Sequence, residues 1–347
     1  EVAGVSTFTI SGLATNINAG MSQVLDYHVI SSINDLENYV TKKETDTWHL
    51  KSGYYYVNAG LSLKKFLLVD DGERVVFDVA SGVTVSVDSS ANLQQILRVA
   101  AGGELIVQGG GSLINHRPTN TRQCYVVVLG KGNDSNNNSK IAKLTVNGQV
   151  YLEAEGAAIS GNNLWCETAV TINGGYIVGK MTSISNHAAS LAIDPSRASV
   201  GIYSPERGTL VINGGKIEGD TGIASRSGKI IVNGGTIIGS GSFYGYSKNT
   251  SPTNGNTTTG AGLAISPYGS NTSESIALTI LDGNILGYTP LSIVNPEPVT
   301  NGYIPTINVL GGTLSSISQY TGNFSISSYS KTDGSSYTTT SMSGVFD

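Results

Sequence analysis

Two arginines on either side of a proline are the first residues whose spacing suggests chemistry. Arg117 and Arg122 enclose the segment Pro118-Thr119-Asn120-Thr121. An arginine held beside the carboxylate of a sugar acid would act as a base and remove the proton from the neighbouring carbon. Short motifs of this kind also match by chance in many sequences. We therefore interpret the segment as a loop with solvated arginines.

Paired carboxylates would offer a second chemistry, because one can protonate a leaving oxygen while the other activates water. Asp70 and Asp71 form the only adjacent aspartate pair in the sequence, and Gly72 follows them. Aspartate followed by glycine is typical of tight turns. The pattern predicts a turn rather than a catalytic pair.

No cofactor or metal is predicted. The histidines are dispersed and lack metal-ligand spacing; they are His28, His49, His116 and His187. Carboxylates that recur near turns could supply oxygen ligands to calcium; they are Asp194, Glu206, Asp220 and Asp282. Because no calcium-binding loop motif accompanies them, turn formation is their predicted role and calcium is the alternative.

Aromatic residues in polar loops are the candidates for ligand binding. A tyrosine presents a flat apolar ring and a hydroxyl group, which suits stacking against a sugar. The predicted ligand-binding residues are Trp165, Phe243, Tyr244, Tyr246 and Tyr268. The alternative for the tyrosines is structural, since tyrosine is also favoured in strands.

A short repeat indicates the elements that must position these side chains. The unit is an alternating apolar run, then Asn-Gly-Gly, then two more apolar positions and a glycine; clear copies start at Ala169, Thr209 and Lys229. Alternation with a period of two predicts strands with one buried face. The glycine pair permits the positive φ of a sharp corner. Each copy therefore predicts two strands joined by a corner.

The spacing of the copies favours a parallel β-helix. Asn213 and Asn233 lie one unit of 20 residues apart, and Asn173 is interpreted as lying two units before Asn213. A β-hairpin is the local alternative for Asn-Gly, and a propeller blade would need about 40 residues. The predicted fold class is all-β, a single-stranded right-handed parallel β-helix with a short N-terminal capping helix.

Stacked coils would bring equivalent asparagines together. Equivalent residues of paired strands lie about 4.8 Å apart, so their amide groups can hydrogen-bond to one another. We predict an internal, structural asparagine ladder at one corner, formed by Asn147, Asn173, Asn213 and Asn233.

The turns between repeats vary in length while the strands stay constant. One turn is short, at 225–228, another is long, at 266–275, and the longest insertion spans 240–260. Solenoids present binding surfaces through such variable segments. We therefore predict one hypervariable corner that carries the binding surface.

The N-terminal region departs from the repeat. Ser32-Ile33-Asn34-Asp35 resembles a helix capping box, and Ile33, Leu36 and Val40 follow helical spacing. A short amphipathic helix would cover the exposed edge of the first coil. The segments 48–50 and 54–57 would then begin the first strands.

These features predict three regions. Residues 1–60 hold the N-terminal strands and capping helix, 61–325 form the parallel β-helix, and 326–347 form a C-terminal β element or tail.

Composition agrees with this architecture and excludes others. The chain of 347 residues contains 44 glycines, whereas glycine makes up about 7% of the residues in ordinary domains. Charged residues are 13% of the chain, against about 25% in ordinary domains. Glycine without a three-residue period excludes collagen, and the apolar content of 39% excludes a disordered chain.

Charge and cysteine content indicate the setting. A net charge of −5 provides no basic surface for nucleic acid, and no apolar run is long enough to span a membrane. Cys124 and Cys166 are predicted to be buried thiols or at most one bridge. The sequence starts at Glu1 without a leader, which is expected if a signal peptide has been removed or the sequence trimmed.

The Asn-Gly-Gly coils resemble those of right-handed parallel β-helices of the pectin-lyase-like superfamily. They are more similar still to the repeats of bacterial secreted and cell-surface proteins. The resemblance covers about residues 75–320 and implies an extracellular or bacterial cell-surface location. That superfamily includes lyases, hydrolases, phage tailspikes and non-catalytic adhesins, so the resemblance implies the fold more sharply than the activity.

The catalytic motifs of that superfamily are not matched. Its lyases resemble one another in Arg-x-Pro-x-x-Arg, from which the segment 117–122 departs at the proline and the second arginine. The clustered aspartates and Gly-His-Gly of its hydrolases are missing. We therefore predict a non-catalytic, monomeric module that binds a polysaccharide or a host or cell-surface glycan.

Two alternatives stay open. One is a divergent polysaccharide lyase or glycoside hydrolase acting in the groove of the β-helix. The other is a structural stalk within a larger surface protein.

Overall fold

The fold was derived from a computed structural model. It describes residues 25–116, 124–130, 140–161, 167–180, 199–204, 207–241, 260–265, 276–293 and 305–316, and the backbone of residues 323–332 and 336–345. Within these residues the regular structure is β-strand apart from one short helix, α1 (Ile33–Glu37).

Successive strands enter three sheets in turn. Sheet 1 consists of β1 (Tyr27–Ile30), β4 (Gly53–Val57), β7 (Arg74–Val79), β10 (Glu104–Gly109), β13 (Ile141–Val146), β16 (Glu167–Ile172), β19 (Arg207–Ile212), β22 (Gly228–Val232), β25 (Ile276–Ile280) and β28 (Thr306–Val309). Sheet 2 consists of β5 (Leu61–Leu63), β8 (Thr84–Val87), β11 (Ser112–Asn115), β14 (Tyr151–Ala154), β17 (Tyr176–Gly179), β20 (Lys216–Gly219), β23 (Thr236–Gly239), β26 (Asn284–Gly287) and β29 (Thr313–Ser316). Sheet 3 consists of β2 (Val40–Lys43), β3 (Thr47–Leu50), β6 (Phe66–Val69), β9 (Gln95–Val99), β12 (Cys124–Leu129), β15 (Gly156–Gly161), β18 (Val200–Ser204), β21 (Thr221–Ser225), β24 (Ala261–Ile265) and β27 (Thr289–Ile293).

The pairing of equivalent strands confirms a parallel β-helix. Each strand pairs in parallel with the strand of the same sheet one coil away, except β2, which pairs antiparallel with β3. In sheet 1, for example, Leu210 of β19 lies opposite Ile230 of β22. The right-handed sense of the coil remains a prediction, in line with the strong preference of parallel crossovers.

The number of residues per coil is less uniform than the repeat indicated. β16 pairs directly with β19, and Thr171 lies opposite Val211. Asn173 and Asn213 are therefore one coil apart, and the prediction of two coils was wrong. The extra residues lie between β17 and β18 and do not add a coil, because an insertion at a corner leaves strand pairing unchanged.

The core runs along the inside of the solenoid. Alternate residues of each strand face inward, and those of sheet 1 form a stacked column that includes Leu105, Leu144, Val170, Leu210 and Ile230. All five are buried. Burying an aliphatic side chain contributes about 1.5–3 kcal/mol, so the alternation seen in the sequence supplies most of the driving force for coiling.

The corner between sheets 1 and 2 is short and constant in the Asn-Gly-Gly coils. The second glycine of three successive copies has φ of +87°, +83° and +86°; these are Gly175, Gly215 and Gly235. A side chain would be strained in this conformation. The glycine pair thus turns the chain from one sheet to the next at a fixed spacing.

The asparagine ladder lies on the outside of this corner. Asn173 Nδ2 donates to Asn147 Oδ1 at 2.9 Å, and Asn213 Nδ2 donates to Asn173 Oδ1 at 2.7 Å. Asn233 Nδ2 continues the chain to Asn213 Oδ1 at 2.8 Å. Three of the four side chains are exposed and Asn147 is half-buried, so the expectation of an internal ladder was wrong. The aliphatic residue before each asparagine faces the core, and alternation turns the asparagine outward.

The connections between strands vary in length at two corners. Between sheets 2 and 3 the chain passes through single residues, such as Asp220, or through long segments at 180–199 and 240–260. Between sheets 3 and 1 the connection is short at 226–227 and long at 266–275. The prediction of a single hypervariable corner was therefore wrong, because the longest insertion and the long turn at 266–275 belong to different corners.

The N-terminal coil contains more β structure than expected. Ser32 Oγ accepts the Asp35 amide at 3.2 Å, and Asp35 Oδ2 accepts the amide of Ser31 at 3.0 Å, so the predicted capping pattern starts α1. Leu36 is buried. Strands are present at the predicted positions, as β3 and β4. The first strand of the described residues is β1, which precedes the helix, so the expectation that β3 and β4 are the first strands was wrong. Capping of the first coil by α1 stays a prediction.

The C-terminal region forms an antiparallel hairpin. β30 (Asn323–Thr332) pairs with β31 (Ser336–Val345) in a sheet separate from the solenoid. The predicted boundary at 325–326 falls inside β30. The other domain boundaries stay predictions.

Candidate functional site

A groove of about 320 Å³ lies on the outer surface of sheet 2, next to its corner with sheet 3. We call it the sheet 2 groove. Its lining residues come from four successive coils; they are Tyr151, Tyr176, Val178, Gly179, Lys180, Ser199, Glu218, Asp220 and Ser240. Two long insertions, 180–199 and 240–260, begin at this groove, so it lies beside a variable corner.

The tight corner at Asp220 forms part of the groove. Ser199 donates to Asp220 Oδ2 from its amide at 2.7 Å and from its hydroxyl at 2.8 Å. The carbonyl of Asp220 accepts the amides of Gly241 and Gly260, at 3.2 and 2.8 Å. Asp220 therefore ties together the ends of both insertions, which fixes the rim of the groove.

Two tyrosines stand side by side along the groove. Tyr151 lies directly opposite Tyr176 on the neighbouring strand. Their ring centroids are 5.3 Å apart with an interplanar angle of 73°, the edge-to-face arrangement that aromatic pairs favour. On the other side of Tyr151 the equivalent residue is Ser112, whose small side chain leaves the ring of Tyr151 uncrowded.

A hydrogen-bonded network holds Tyr176. Its hydroxyl donates to Glu218 Oε2 at 2.5 Å and accepts from Lys216 Nζ at 3.0 Å. Lys216 also pairs with Glu218 at 2.8 Å and lies 4.4 Å from the Tyr176 ring centroid. The lysine thus covers part of the ring while the carboxylate fixes its hydroxyl.

A second carboxylate holds Tyr151. The Tyr151 hydroxyl donates to Glu153 Oε2, and His116 Nε2 lies 2.5 Å from Glu153 Oε1. Glu153 is only 5% exposed. A buried carboxylate needs hydrogen-bond partners to offset its desolvation, and the tyrosine and the histidine provide them.

The electrostatics of the groove keep these groups in fixed protonation states. Burial alone would raise the pKa of Glu218, but the hydrogen bonds from Lys216 and Tyr176 outweigh it and hold that pKa below its usual value. The hydrogen bond to Glu218 raises the pKa of Lys216. Burial and then the bond to a glutamate raise the pKa values of Tyr151 and Tyr176. At neutral pH the tyrosines are therefore hydrogen-bond donors and not bases.

The arrangement provides an aromatic surface beside polar groups of both signs. Lys180, Ser199 and Ser240 complete the polar lining. Such a surface can stack against the apolar face of a sugar ring and hydrogen-bond with its hydroxyls. Among the described residues no group of three or more potential metal ligands occurs.

The ligand-binding residues predicted from the sequence all fall outside the described residues; they are Trp165, Phe243, Tyr244, Tyr246 and Tyr268. Cys166 also lies outside them, whereas Cys124 is buried at the start of β12.

The predicted turn at Asp71 and Gly72 is present, and its two aspartates have separate partners. Asp70 lies 2.5 Å from His49 Nδ1, and Asp71 pairs with Lys140. Asp70 and Asp71 are thus not a carboxylate pair acting on one ligand.

Reasoning from the sequence missed the residues of the groove, although the repeat contains a signal for some of them. Tyr176 and Lys216 both follow Asn-Gly-Gly directly, and Glu218 stands two positions after Lys216. Aligning the copies would have stacked Tyr176 against Lys216. Tyr151 follows a degenerate copy without the second glycine, so its place in the same column is visible only from strand pairing.

Comparison with protein-family models, curated proteins and solved structures finds no match to this chain. Within the described ranges, no helix has the length and apolar character needed to cross a membrane.

Proposed function

We propose that this chain is a non-catalytic, extracellular module that binds a carbohydrate in the sheet 2 groove. The observation that carries the proposal is the fixed pair Tyr151 and Tyr176 beside a polar groove on the outside of the solenoid. We further propose that the chain is a bacterial surface or secreted β-helix of the pectin-lyase-like type. That part rests on the resemblance of the Asn-Gly-Gly coils.

The fixed position of the tyrosine rings supports binding. Each hydroxyl already donates to a carboxylate, at Glu153 or Glu218. The rings therefore lose little conformational freedom when a ligand stacks on them, and less binding energy is spent on ordering. A sugar ring placed over such a surface would contact the rings and hydrogen-bond with Lys180 or Ser199.

The same contacts favour binding over hydrolysis. A glycoside hydrolase needs one carboxylic acid free to protonate the leaving oxygen and a second carboxylate free to activate water or attack. Glu218 is engaged by Lys216 and Tyr176, and Glu153 by His116 and Tyr151. Both carboxylates serve to hold neighbouring side chains.

Affinity electrophoresis tests the proposal. The chain is run through native gels that contain xylan, hydroxyethylcellulose, laminarin or polygalacturonate, and its retardation is compared with that of the variants Tyr176→Ala and Lys216→Ala. We expect retardation by at least one polymer and weaker retardation of Tyr176→Ala. Lys229→Ala is the matched lysine control, because Lys229 is exposed on sheet 1.

The outcomes separate the candidates. No retardation by any of the four polymers would contradict this carbohydrate-binding proposal. Release of reducing ends or of unsaturated products from a retarding polymer would show an enzyme and would overturn the non-catalytic assignment. Equal loss of retardation in Lys229→Ala and Lys216→Ala would place the binding surface outside the groove.

A further inference from the structure

Three tyrosines form a stack at the N-terminal end of sheet 1, on a different face from the sheet 2 groove. Tyr54 and Tyr56 alternate along β4 and so face the same side of the sheet. Tyr27 of β1 lies directly opposite Tyr54. Its ring centroid is 5.3 Å from that of Tyr54 and 6.4 Å from that of Tyr56, with interplanar angles of 27° and 20°.

Polar neighbours hold the centre of the stack. The Tyr54 hydroxyl donates to Asp78 and accepts from Gln108 Nε2 at 3.0 Å. The same amide group donates to Asp78 Oδ2 at 2.9 Å. Burial and the bond to Asp78 raise the pKa of Tyr54 to about 12. The rings are thus ordered before any ligand arrives, which lowers the entropic cost of binding.

Within the described residues one face of the stack is open. β1 is the first described strand of sheet 1, so both ring contacts of Tyr27 are made toward β4, and no described strand of that sheet covers its other face. The Tyr27 side chain is 62% exposed, compared with 39% for Tyr288. Single exposed apolar residues are ordinary on protein surfaces, but an ordered cluster of them marks a contact site.

The polar atoms around the stack suit a neutral, hydroxyl-rich ligand. Asp78 lies at the Tyr54 hydroxyl, and its carboxylate would repel a sugar acid. Arg74, the cation in the next outward position of sheet 1, is engaged by Glu104 at 3.0 Å. Asp78 Oδ1 and Gln108 Oε1 accept no hydrogen bond within the described part of the chain, so both can accept one from a sugar hydroxyl.

We propose that the stack of Tyr27, Tyr54 and Tyr56 is a second saccharide-binding surface, specific for neutral sugars. This inference rests on the proposed function of the sheet 2 groove and extends it. The two surfaces lie on different sheets and in different coils, so one straight polymer strand does not reach both. A single chain would then bind two polysaccharide strands at once and crosslink them.

The test uses the full chain and the neutral polymers xylan, hydroxyethylcellulose and laminarin. Gel retardation measures binding, and turbidity of mixed solutions measures crosslinking. We expect Tyr27→Ala to weaken binding by about tenfold, the effect of losing one stacked ring, and to abolish turbidity. Tyr27→Phe keeps the ring and should behave as the parent chain, as should the control Tyr288→Ala. Circular dichroism spectra check that each variant is folded.

The readings distinguish this inference from the proposed function. If Tyr176→Ala loses retardation while Tyr27→Ala binds and crosslinks like the parent, the groove stands and the second surface is overturned. If Tyr27→Ala loses retardation and Tyr176→Ala keeps it, the stack binds sugar and the assignment of the groove fails. Binding by the parent without turbidity contradicts bivalence. A parent chain that is retarded by polygalacturonate but by none of the neutral polymers contradicts the second surface alone, and one that is retarded by none of the four polymers contradicts both proposals.

Discussion

Hydrogen bonds from tyrosine to carboxylate recur at the residue scale in this chain. Tyr54, Tyr151 and Tyr176 each donate to a carboxylate on their own or a nearby strand of the same sheet. A charged acceptor makes a stronger hydrogen bond than a neutral one. The chain therefore presents tyrosine rings whose orientation is set by the fold, which is what stacking against a ligand requires.

The buried side chain of His28 indicates how the stability of the fold depends on pH. It is 9% exposed, its ring stacks on that of Tyr39 at 3.7 Å, and its Nε2 is buried with no hydrogen-bond partner in the described part of the chain. Burial lowers the pKa of His28 below 6.5; Asp26 opposes this and Lys51 adds to it. As pH falls below 6.5, the unfolded chain binds a proton that the folded chain does not, so stability is lost.

Urea unfolding at pH 7 and pH 5 measures this dependence. We expect the urea midpoint of the parent chain to be lower at pH 5 than at pH 7. The midpoint of His28→Phe should decrease less between the two pH values. His116→Gln, which removes a more exposed histidine and keeps a hydrogen-bond donor for Glu153, is the matched control. Equal shifts in the parent and in His28→Phe would show that His28 does not couple folding to pH.

The asparagine ladder supports a second prediction at this scale. Asn213→Asp removes the amide that donates to Asn173 Oδ1 and brings a carboxylate oxygen against it. Each bond contributes about 1 kcal/mol, so Asn213→Asp should destabilise the chain by about 1–2 kcal/mol in chemical denaturation. Asn284→Asp, an exposed change outside the ladder, should cost less than about 0.5 kcal/mol. Equal losses would mean that the ladder adds no stability.

At the scale of elements, the corners between sheets 2 and 3 depend on the glycine that ends the sheet 2 strand. A Cβ on Gly239 would lie 2.1 Å from the carbonyl oxygen of Ala261, and one on Gly219 would lie 2.6 Å from that of Thr221. These atoms belong to paired backbone and cannot move without disturbing a strand. The glycine at the end of each repeat is thus required because a side chain would clash with backbone. The Asn-Gly-Gly corner requires glycine for a different reason, its positive φ.

Gly239→Ala tests this corner. We expect a loss of about 3 kcal/mol or more, because the added methyl overlaps the backbone of Ala261 at the start of β24. Gly60→Ala is the matched control, since its Cβ would find its nearest neighbour, the Thr84 carbonyl, at 3.6 Å. Thermal unfolding followed by circular dichroism compares the two. Similar melting temperatures for both variants would show that the corner can relax.

At the scale of the whole molecule, stability is shared between neighbouring coils. Among the described strands, the inner strands of each sheet pair with the strands one coil before and after them, whereas the end strands of sheet 1, β1 and β28, pair on one side only. Stability in such solenoids is approximately a sum of terms for each repeat and its nearest neighbours. A central coil has a neighbouring coil on both sides, so it is stabilised by more nearest-neighbour interactions than a coil at either end.

Hydrogen exchange measured by mass spectrometry tests this distribution. Amides of β13, β16 and β19 should exchange most slowly, and those of β1 and β28 faster, because end coils open without unfolding the centre. Uniform protection along sheet 1 would instead indicate that the solenoid unfolds as one cooperative unit.

Several features of the fold are local, and the sequence alone determined them. Alternation of apolar residues specifies a strand and the face it buries. Asn-Gly-Gly specifies a corner, because glycine readily adopts the positive φ seen at Gly175, Gly215 and Gly235. The capping pattern at Ser32 and Asp35 specifies the start of α1. A parallel β-helix follows from repeating these units.

The tertiary structure alone decided which residues meet. Insertions at corners change the distance along the chain but not the spacing between coils, so Asn173 and Asn213 are neighbours across 40 residues. For the same reason Tyr151, Tyr176 and Glu218 share one groove although corners of different lengths separate them. Strand pairing is a contact between distant segments, and the sequence of one segment does not specify its partner. The composition and repeats thus determine the coil, whereas the candidate site exists only where coils stack.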